Sequence, residues 1–209
     1  MKVVVIPVTP YQQNCSLVIC EATQQAAIVD PGGEAARILS AVKNHHVTVT
    51  KILLTHGHLD HVGGAETLAA QLNIPIIGPE KEDAFWLDAM QQQCDMFGFP
   101  KVDSFLPTHW LEEGNVVEVG NIKLDVLHIP GHTPGHVVLF DAVSKQLIAG
   151  DILFNGSVGR SDFPRGNHEQ LITGIKQKLL TLPEETVVFP GHGPTTTIGR
   201  EKVSNPHLR

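Results

Sequence analysis

Thr55-His56-Gly57-His58-Leu59-Asp60-His61 sets three histidines and an aspartate within six positions. Neutral imidazole and carboxylate are ligands of zinc and other first-row metals, so the stretch reads as part of a metal site. A polar surface loop can also carry histidine and aspartate, but four candidate ligands so close together exceed what such a loop needs. The cluster follows an apolar run, Ile52-Leu53-Leu54, which reads as a short buried strand. Residues 65–72 beyond it look helical. Gly57, lacking a Cβ, permits a sharp turn between the two. A strand-to-helix turn of this kind can aim four side chains at one small volume.

Three later segments offer more donors: Pro130-Gly131-His132, Gly150-Asp151 and Pro190-Gly191-His192-Gly193. Each alone reads more readily as a turn. Together with the first cluster they make seven candidates: His56, His58, Asp60, His61, His132, Asp151 and His192. One tetrahedral zinc takes about four ligands, and a catalytic one leaves a position open. Seven therefore means either supporting residues or two metals. His136 could orient a loop or a ligand. His45, His46, His168 and His207 read as surface residues, and His109 and His128 have no ligand-like context. No GxSxG nucleophile elbow is present.

The elements that must position these residues are partly legible. Strands are expected over 2–8, 15–20, 26–29 and 51–54, then over 116–119, 122–128, 136–141, 146–149 and 187–189. Gly120-Asn121 suits a tight hairpin. Helices are expected over 34–44, about 61–72, 80–93 and 167–180, with Pro75 blocking extension of the second. Residues 79–107 are the least legible. Met96-Phe97-Gly98-Phe99-Pro100 reads either as a core plug or as a flap over the site. The pattern alone supports an α and β protein whose two batches of strands could form two sheets.

A chain of 209 residues can bury a sizeable core in one large or two small domains. Its net charge of −7, without a cluster of Lys and Arg, argues against a nucleic-acid groove. Cys15 and Cys20 lie five strand steps apart, about 16 Å, too far for a disulfide. With Cys94 they read as reduced thiols, which suits the cytoplasm. No signal peptide and no membrane span are expected.

The 55–61 stretch resembles the HxHxDH signature of the metallo-β-lactamase superfamily. The later His132, Asp151 and His192 segments resemble its other metal-binding segments in the same order. The resemblance covers nearly the whole chain and is strongest to the glyoxalase-II-like thioester hydrolases. It implies an α/β fold, an αββα four-layer sandwich of two mixed sheets with helices on the outer faces. It also implies one domain over 1–209, without the C-terminal helical domain of longer glyoxalase II enzymes.

By that resemblance His56, His58 and His132 hold one metal, Asp60, His61 and His192 a second, and Asp151 bridges them. Asp30, which from the sequence alone is as readily a turn-forming aspartate, supports the metal loop. Two divalent ions are implied, zinc first with iron or manganese possible, sharing a water that attacks a thioester carbonyl. Asp60 would align that water. The implied substrate is a small glutathione-derived thioester, S-D-lactoylglutathione first, and Arg160 matches a cationic position that contacts glutathione. The alternative reading of Arg160 is a loop-stiffening pair with Asp162. Asp162 itself stands where glyoxalase II has an aromatic residue. A mononuclear iron persulfide dioxygenase is the alternative activity. A nuclease and a non-catalytic metal-binding protein are further alternatives.

Overall fold

The structure is a computed structural model, and it describes residues 1–209. Two mixed sheets pack face to face. The first has the order β1 (Lys2–Val8), β2 (Gln13–Cys20), β3 (Gln25–Val29), β4 (Thr48–Leu53) and β5 (Ile76–Ile77), antiparallel across β1–β3 and parallel across β3–β5. The second uses β6 (Val116–Val119), β7 (Ile122–His128), β8 (Val137–Asp141), β9 (Gln146–Gly150), β12 (Val187–Pro190) and β13 (Thr196–Thr197), in the order β13-β12-β9-β8-β7-β6. Its β9–β12 pair is parallel and the rest antiparallel. β10 (Leu153–Phe154) and β11 (Ser157–Val158) form a small separate hairpin.

Alternation along each strand builds the layers, because successive side chains point to opposite faces. In β3, Ala26 and Ile28 face the outer helices while Ala27 and Val29 face the second sheet. In β8, Val137 and Leu139 point inward and Val138 and Phe140 outward. Cys15 and Cys20 fall on opposite faces of β2, and all three cysteines are free. Helices α1 (Ala35–Asn44), α3 (Ala65–Leu72) and α5 (Met90–Phe97) cover the first sheet, and α6 (His168–Gly174) the second. This is the four-layer arrangement expected. No helix is long and apolar enough to cross a membrane.

Local differences from the expected elements have physical causes. The helix expected over 61–72 is two pieces, α2 (Leu59–Val62) and α3, broken at Gly63-Gly64. Both glycines lie against the backbone of 31–33, where a Cβ would meet carbonyl oxygens at 2.8 Å. The helix expected over 80–93 is a 3₁₀ turn followed by α4 (Ala84–Asp88) and α5. The last expected helix runs through α6 into a π-helical turn, Ile175–Leu179. The two-residue strands β5, β10, β11 and β13 were too short to read, and so was the terminal helix α7 (Ile198–Ser204).

Ile28 is fully buried between β2, β4 and the helix layer. Ile28→Ala is expected to lower stability by about 2–5 kcal/mol, through lost burial and a residual cavity, measured by chemical denaturation.

Candidate metal centre

All seven candidate donors arrive at one edge of the two sheets. Asp30 ends β3, and residues 55–61 follow β4. His132 lies between β7 and β8, Asp151 follows β9, and His192 follows β12. Backbone bonds tie these loops together across the sheets. The Val137 N–H donates to the Thr55 carbonyl at 2.8 Å, Asn14 N–H to the Gly191 carbonyl at 2.7 Å, and Gly191 N–H to the Gly150 carbonyl at 2.8 Å. A Cβ on Gly191 would sit 2.2 Å from Asp151 Oδ1 and 2.6 Å from His61, so only glycine admits His192 beside them. Gly57 was expected to serve a sharp turn. What it supplies is room, since a Cβ there would lie 2.7 Å from Trp86 Cβ.

Two sets of donor atoms converge. His58 Nδ1 lies 3.1 Å from His56 Nε2 and 3.0 Å from His132 Nε2. Beside them, Asp60 Oδ2 lies 3.2 Å from His192 Nε2 and 3.9 Å from His61 Nε2. Asp151 stands between the sets. Its Oδ1 is 3.4 Å from His61 Nε2, and its Oδ2 is 3.7 Å from both His132 Nε2 and His192 Nε2. Three-residue sets His56/His58/His132 and Asp60/His61/His192 each bring one ligand atom per residue within 4.8 Å of one another. Residues scattered over 137 positions of sequence are thus brought into one volume, as the resemblance implies.

The hydrogen bonds on the far side of four rings settle which of their nitrogens is bare; His58 Nε2 has no such partner. Thr55 donates its N–H to Asp30 Oδ1 (2.7 Å) and its hydroxyl to Oδ2 (2.6 Å), so Thr55 Oγ1 accepts from His56 Nδ1 at 3.1 Å. His61 Nδ1 donates to Asp30 Oδ2 at 2.9 Å, His132 Nδ1 to the Arg160 carbonyl at 2.7 Å, and His192 Nδ1 to the Tyr11 carbonyl at 3.3 Å. The carboxylate and carbonyl oxygens have no proton to give and the Thr55 hydroxyl proton is spent on Asp30, so each of these four rings, when neutral, turns an unprotonated Nε2 inward. His61 Nε2 and Asp151 Oδ1 are buried without a hydrogen-bond partner. The facing lone pairs of His61 Nε2 and Asp151 Oδ1, 3.4 Å apart, repel one another unless a cation or proton lies between them. A divalent cation fits this donor set.

Charge states follow from the same geometry. Burial, with help from neighbouring rings, pushes the pKa of His56 and His58 well below the usual imidazole value. Burial acts the same way on His61, but the Asp151 and Asp60 carboxylates overcome it and raise that ring well above its usual value. His192 is raised through its bond to Asp60, against burial. Burial pushes Asp151 up, yet His61, His132 and His192 hold it far below the usual carboxylate range.

Asp30 could also be grouped with His56 and His61 by distance. Its two oxygens are already committed to Thr55 and His61, so it orients those groups. His136, fully buried, is no donor to either set. Its Nε2 accepts the Asp151 N–H at 3.0 Å, and its ring stacks on His56 at 4.6 Å. Arg160, exposed on the rim, is engaged by Asp162 through two bonds, Nε to Oδ1 at 3.0 Å and a terminal nitrogen to Oδ2 at 2.9 Å. Its guanidinium also lies over Phe163, whose ring meets His58 at 4.7 Å.

Sequence reasoning missed Asp83 and Gln93. Asp83 is fully buried and joins the two loops of the first set. It accepts from Gly57 N–H (2.9 Å), the Thr133 hydroxyl (2.7 Å) and Gly135 N–H (2.6 Å). Burial pushes its carboxyl up to about 7, against the pull of those three bonds. Gln93 accepts the Leu59 N–H and donates to the Gly57 and Trp86 carbonyls. Neither lies in a motif, so no local signal marked them. Of the 96–100 stretch, Met96 and Phe97 are exposed and only Phe99 packs against the core. Leu87, Met90 and Cys94 fill the core, while Phe97 and Phe99 pack on Tyr11, whose carbonyl holds His192.

Comparison with known proteins gives concordant findings. Residues 8–192 match the family Lactamase_B, described as the Metallo-beta-lactamase superfamily. A Haemophilus influenzae protein named hydroxyacylglutathione hydrolase GloC is 44% identical over 209 residues, covering 100% of this chain and 98% of its own. The crystal structure of BLEG-1 B3 metallo-beta-lactamase superposes with a TM-score of 0.91 at 35% identity, covering 99% of each chain. That of TTHA1623 in a di-iron-bound form gives 0.89 at 37% identity, covering 98% of this chain and 100% of the other.

Two outcomes test the centre. His61 and His192 have raised pKa values, so each must release a proton before its Nε2 can bind a cation. Metal uptake should weaken as pH falls, by about tenfold or more between pH 8 and 6, followed by chelator competition. Asp83→Ala leaves three buried donors without an acceptor. It should cost about 3 kcal/mol or more of stability and about tenfold or more in metal affinity, read by denaturation and by the same competition.

Proposed function

The chain belongs to the metallo-beta-lactamase superfamily, and from that premise we propose that it is a two-metal thioester hydrolase. Its first substrate on this reading is S-D-lactoylglutathione, cleaved to D-lactate and glutathione. The observation that carries the reading is the pair of converging donor sets with Asp151 between them. His56, His58 and His132 are assigned to one ion, Asp60, His61 and His192 to the other, and Asp151 to both. Support for the substrate class comes from the relative named for hydroxyacylglutathione hydrolysis. Zinc stands first among the metals, and iron and manganese suit the same donors.

Two divalent ions held there would supply hydroxide at neutral pH, by lowering the pKa of water to about 7, and would polarise the thioester carbonyl. The chain's own residues do the rest. Asp60 is half-buried and held ionised by His61 and His192, against burial. It can accept a hydrogen bond from the attacking water and keep it in line with the carbonyl carbon. His136 fixes the Asp151 backbone, and Asp30 fixes His61 and, through Thr55, His56, so the acceptors need not reorganise during the reaction. Trp86 and Phe163 flank His58 and keep bulk water from that side. A C–O bond forms as the C–S bond breaks. The thiolate leaves without an acid, since an ordinary thiol has a pKa of only about 8.5, and it takes up a solvent proton.

Arg160 contacts the carrier part of the substrate on this reading. An exposed ion pair is screened and contributes little, so Asp162 can yield the Arg160 fork to a substrate carboxylate. The free thiols are in keeping with work in a reducing cytoplasm.

His58→Ala and Asp60→Ala should each reduce thioester cleavage by about a thousandfold or more while the circular dichroism spectrum stays native. Chelation should abolish turnover, and added zinc, iron or manganese should restore it. Undiminished cleavage in either variant defeats the assignment. Hydrolysis of a β-lactam without thioester cleavage would replace it. So would oxygen uptake with glutathione persulfide at one iron per chain.

A further inference from the structure

The rim beside His58 carries two arginines in opposite states. Arg160 is closed by Asp162, which takes both edges of its fork. Arg165, five positions on, pairs with no carboxylate and donates no hydrogen bond. Its guanidinium rests on the face of Phe85, 4.3 Å from the ring centroid. That face is part of an aromatic run reaching the candidate centre. Phe85 meets Trp86 at 4.9 Å, and Trp86 meets His58 edge to face at 4.6 Å. Phe163, two residues before Arg165, meets His58 at 4.7 Å and His132 at 5.6 Å.

The backbone supplies a second, independent observation. Arg165 has a φ of 61°, in the left-handed region that a Cβ resists and glycine adopts freely. Lys145 is also held left-handed, at φ 53°, and it is paired with Glu185. Arg165 has no such partner, so no ion pair within the protein accounts for the strained arginine. A cation–π contact orients the guanidinium without using its hydrogen-bond donors. The donors stay available for a planar anion, and a carboxylate matches them two by two.

We propose that Arg165, seated on Phe85, forms a carboxylate subsite for the thiol carrier of the thioester. The inference rests on the thioester reading above and adds a residue to it. An extended peptide runs about 3.3–3.6 Å per residue. In glutathione the sulfur-bearing cysteine is one residue from each terminal carboxylate, so an extended carrier whose sulfur lies at the centre runs a carboxylate out along the rings between His58 and Arg165. Arg160 must give up Asp162 to bind such a group, whereas Arg165 gives up nothing.

The test compares S-lactoylglutathione with S-lactoyl-N-acetylcysteamine, whose carrier has no carboxylate, in the parent, Arg165→Gly and Arg165→Lys. Arg165→Gly should lower the ratio of kcat/KM for the first over the second by about fivefold or more, chiefly through KM. Arg165→Lys should recover part of the loss, since it keeps the charge without the fork. Because glycine relaxes the backbone, Arg165→Gly should melt no lower than the parent, so a change in the ratio cannot be put down to misfolding. A ratio within twofold of the parent, or equal losses on both thioesters, overturns the proposal. A separate arm measures binding of S-methylglutathione to the metal-loaded parent and Arg165→Gly by calorimetry. Failure of the parent to cleave either thioester would defeat the thioester reading, and this arm still decides the subsite. Affinity about fivefold or more weaker in Arg165→Gly upholds it. Equal affinity, or no binding by either protein, overturns it.

Discussion

Lone pairs that face one another across 3.4 Å, on His61 Nε2 and Asp151 Oδ1, are the constraint on which the site depends. The outer nitrogens of His56, His61, His132 and His192 are committed to acceptors of the surrounding chain, so these four imidazoles cannot turn a proton inward without becoming cations. His58, whose outer Nε2 has no partner, can do so. The carboxylates among them have no proton to give. Positive charge at the centre relieves that repulsion, and two sets of donors with Asp151 between them leave room for more than one unit of it. Protons and metal ions therefore compete for the same atoms, and the raised pKa values of His61 and His192 express that competition.

Such a cluster must be held against its own repulsion, and the fold does this from behind. The two sheets end at one edge, and backbone bonds from β2, β8 and β9 stitch the loops together there. Asp30 holds Thr55 and His61 from the first sheet. His136 holds the Asp151 backbone from the second. Asp83 reaches both the histidine turn and the 132–135 loop, so the first donor set is defined across the sandwich and not within one loop. These supports are buried, and their bonds are strong for that reason.

The two sides of the opening differ. On the His192 side Tyr11 stacks on Phe99 with Phe97 at its edge, an uncharged aromatic surface. On the His58 side Phe163 and Phe85 carry guanidinium groups on their faces, with Trp86 in contact with both rings.

Much of this was legible in the sequence, for reasons that can be located. The ligand types lie in short motifs, so His56, His58, Asp60, His61, His132, Asp151 and His192 could be picked out locally. The strands β1, β2, β3, β6, β7 and β8 alternate or run apolar long enough to be recognised. Short pieces such as β5 and β13 carry no period, because two residues cannot display one. Asp83 and Gln93 could not be found at all, since their partners lie 26 to 52 and 7 to 36 positions away. The same holds for Arg165, whose open fork is a matter of which carboxylates fail to reach it. The sequence by itself determined which atoms could bind a cation and which strands would deliver them, because both depend on residue type and local spacing. Only the tertiary structure decided which ring nitrogen turns inward and which charge on the rim is left unpaired, because both depend on hydrogen-bond partners far along the chain.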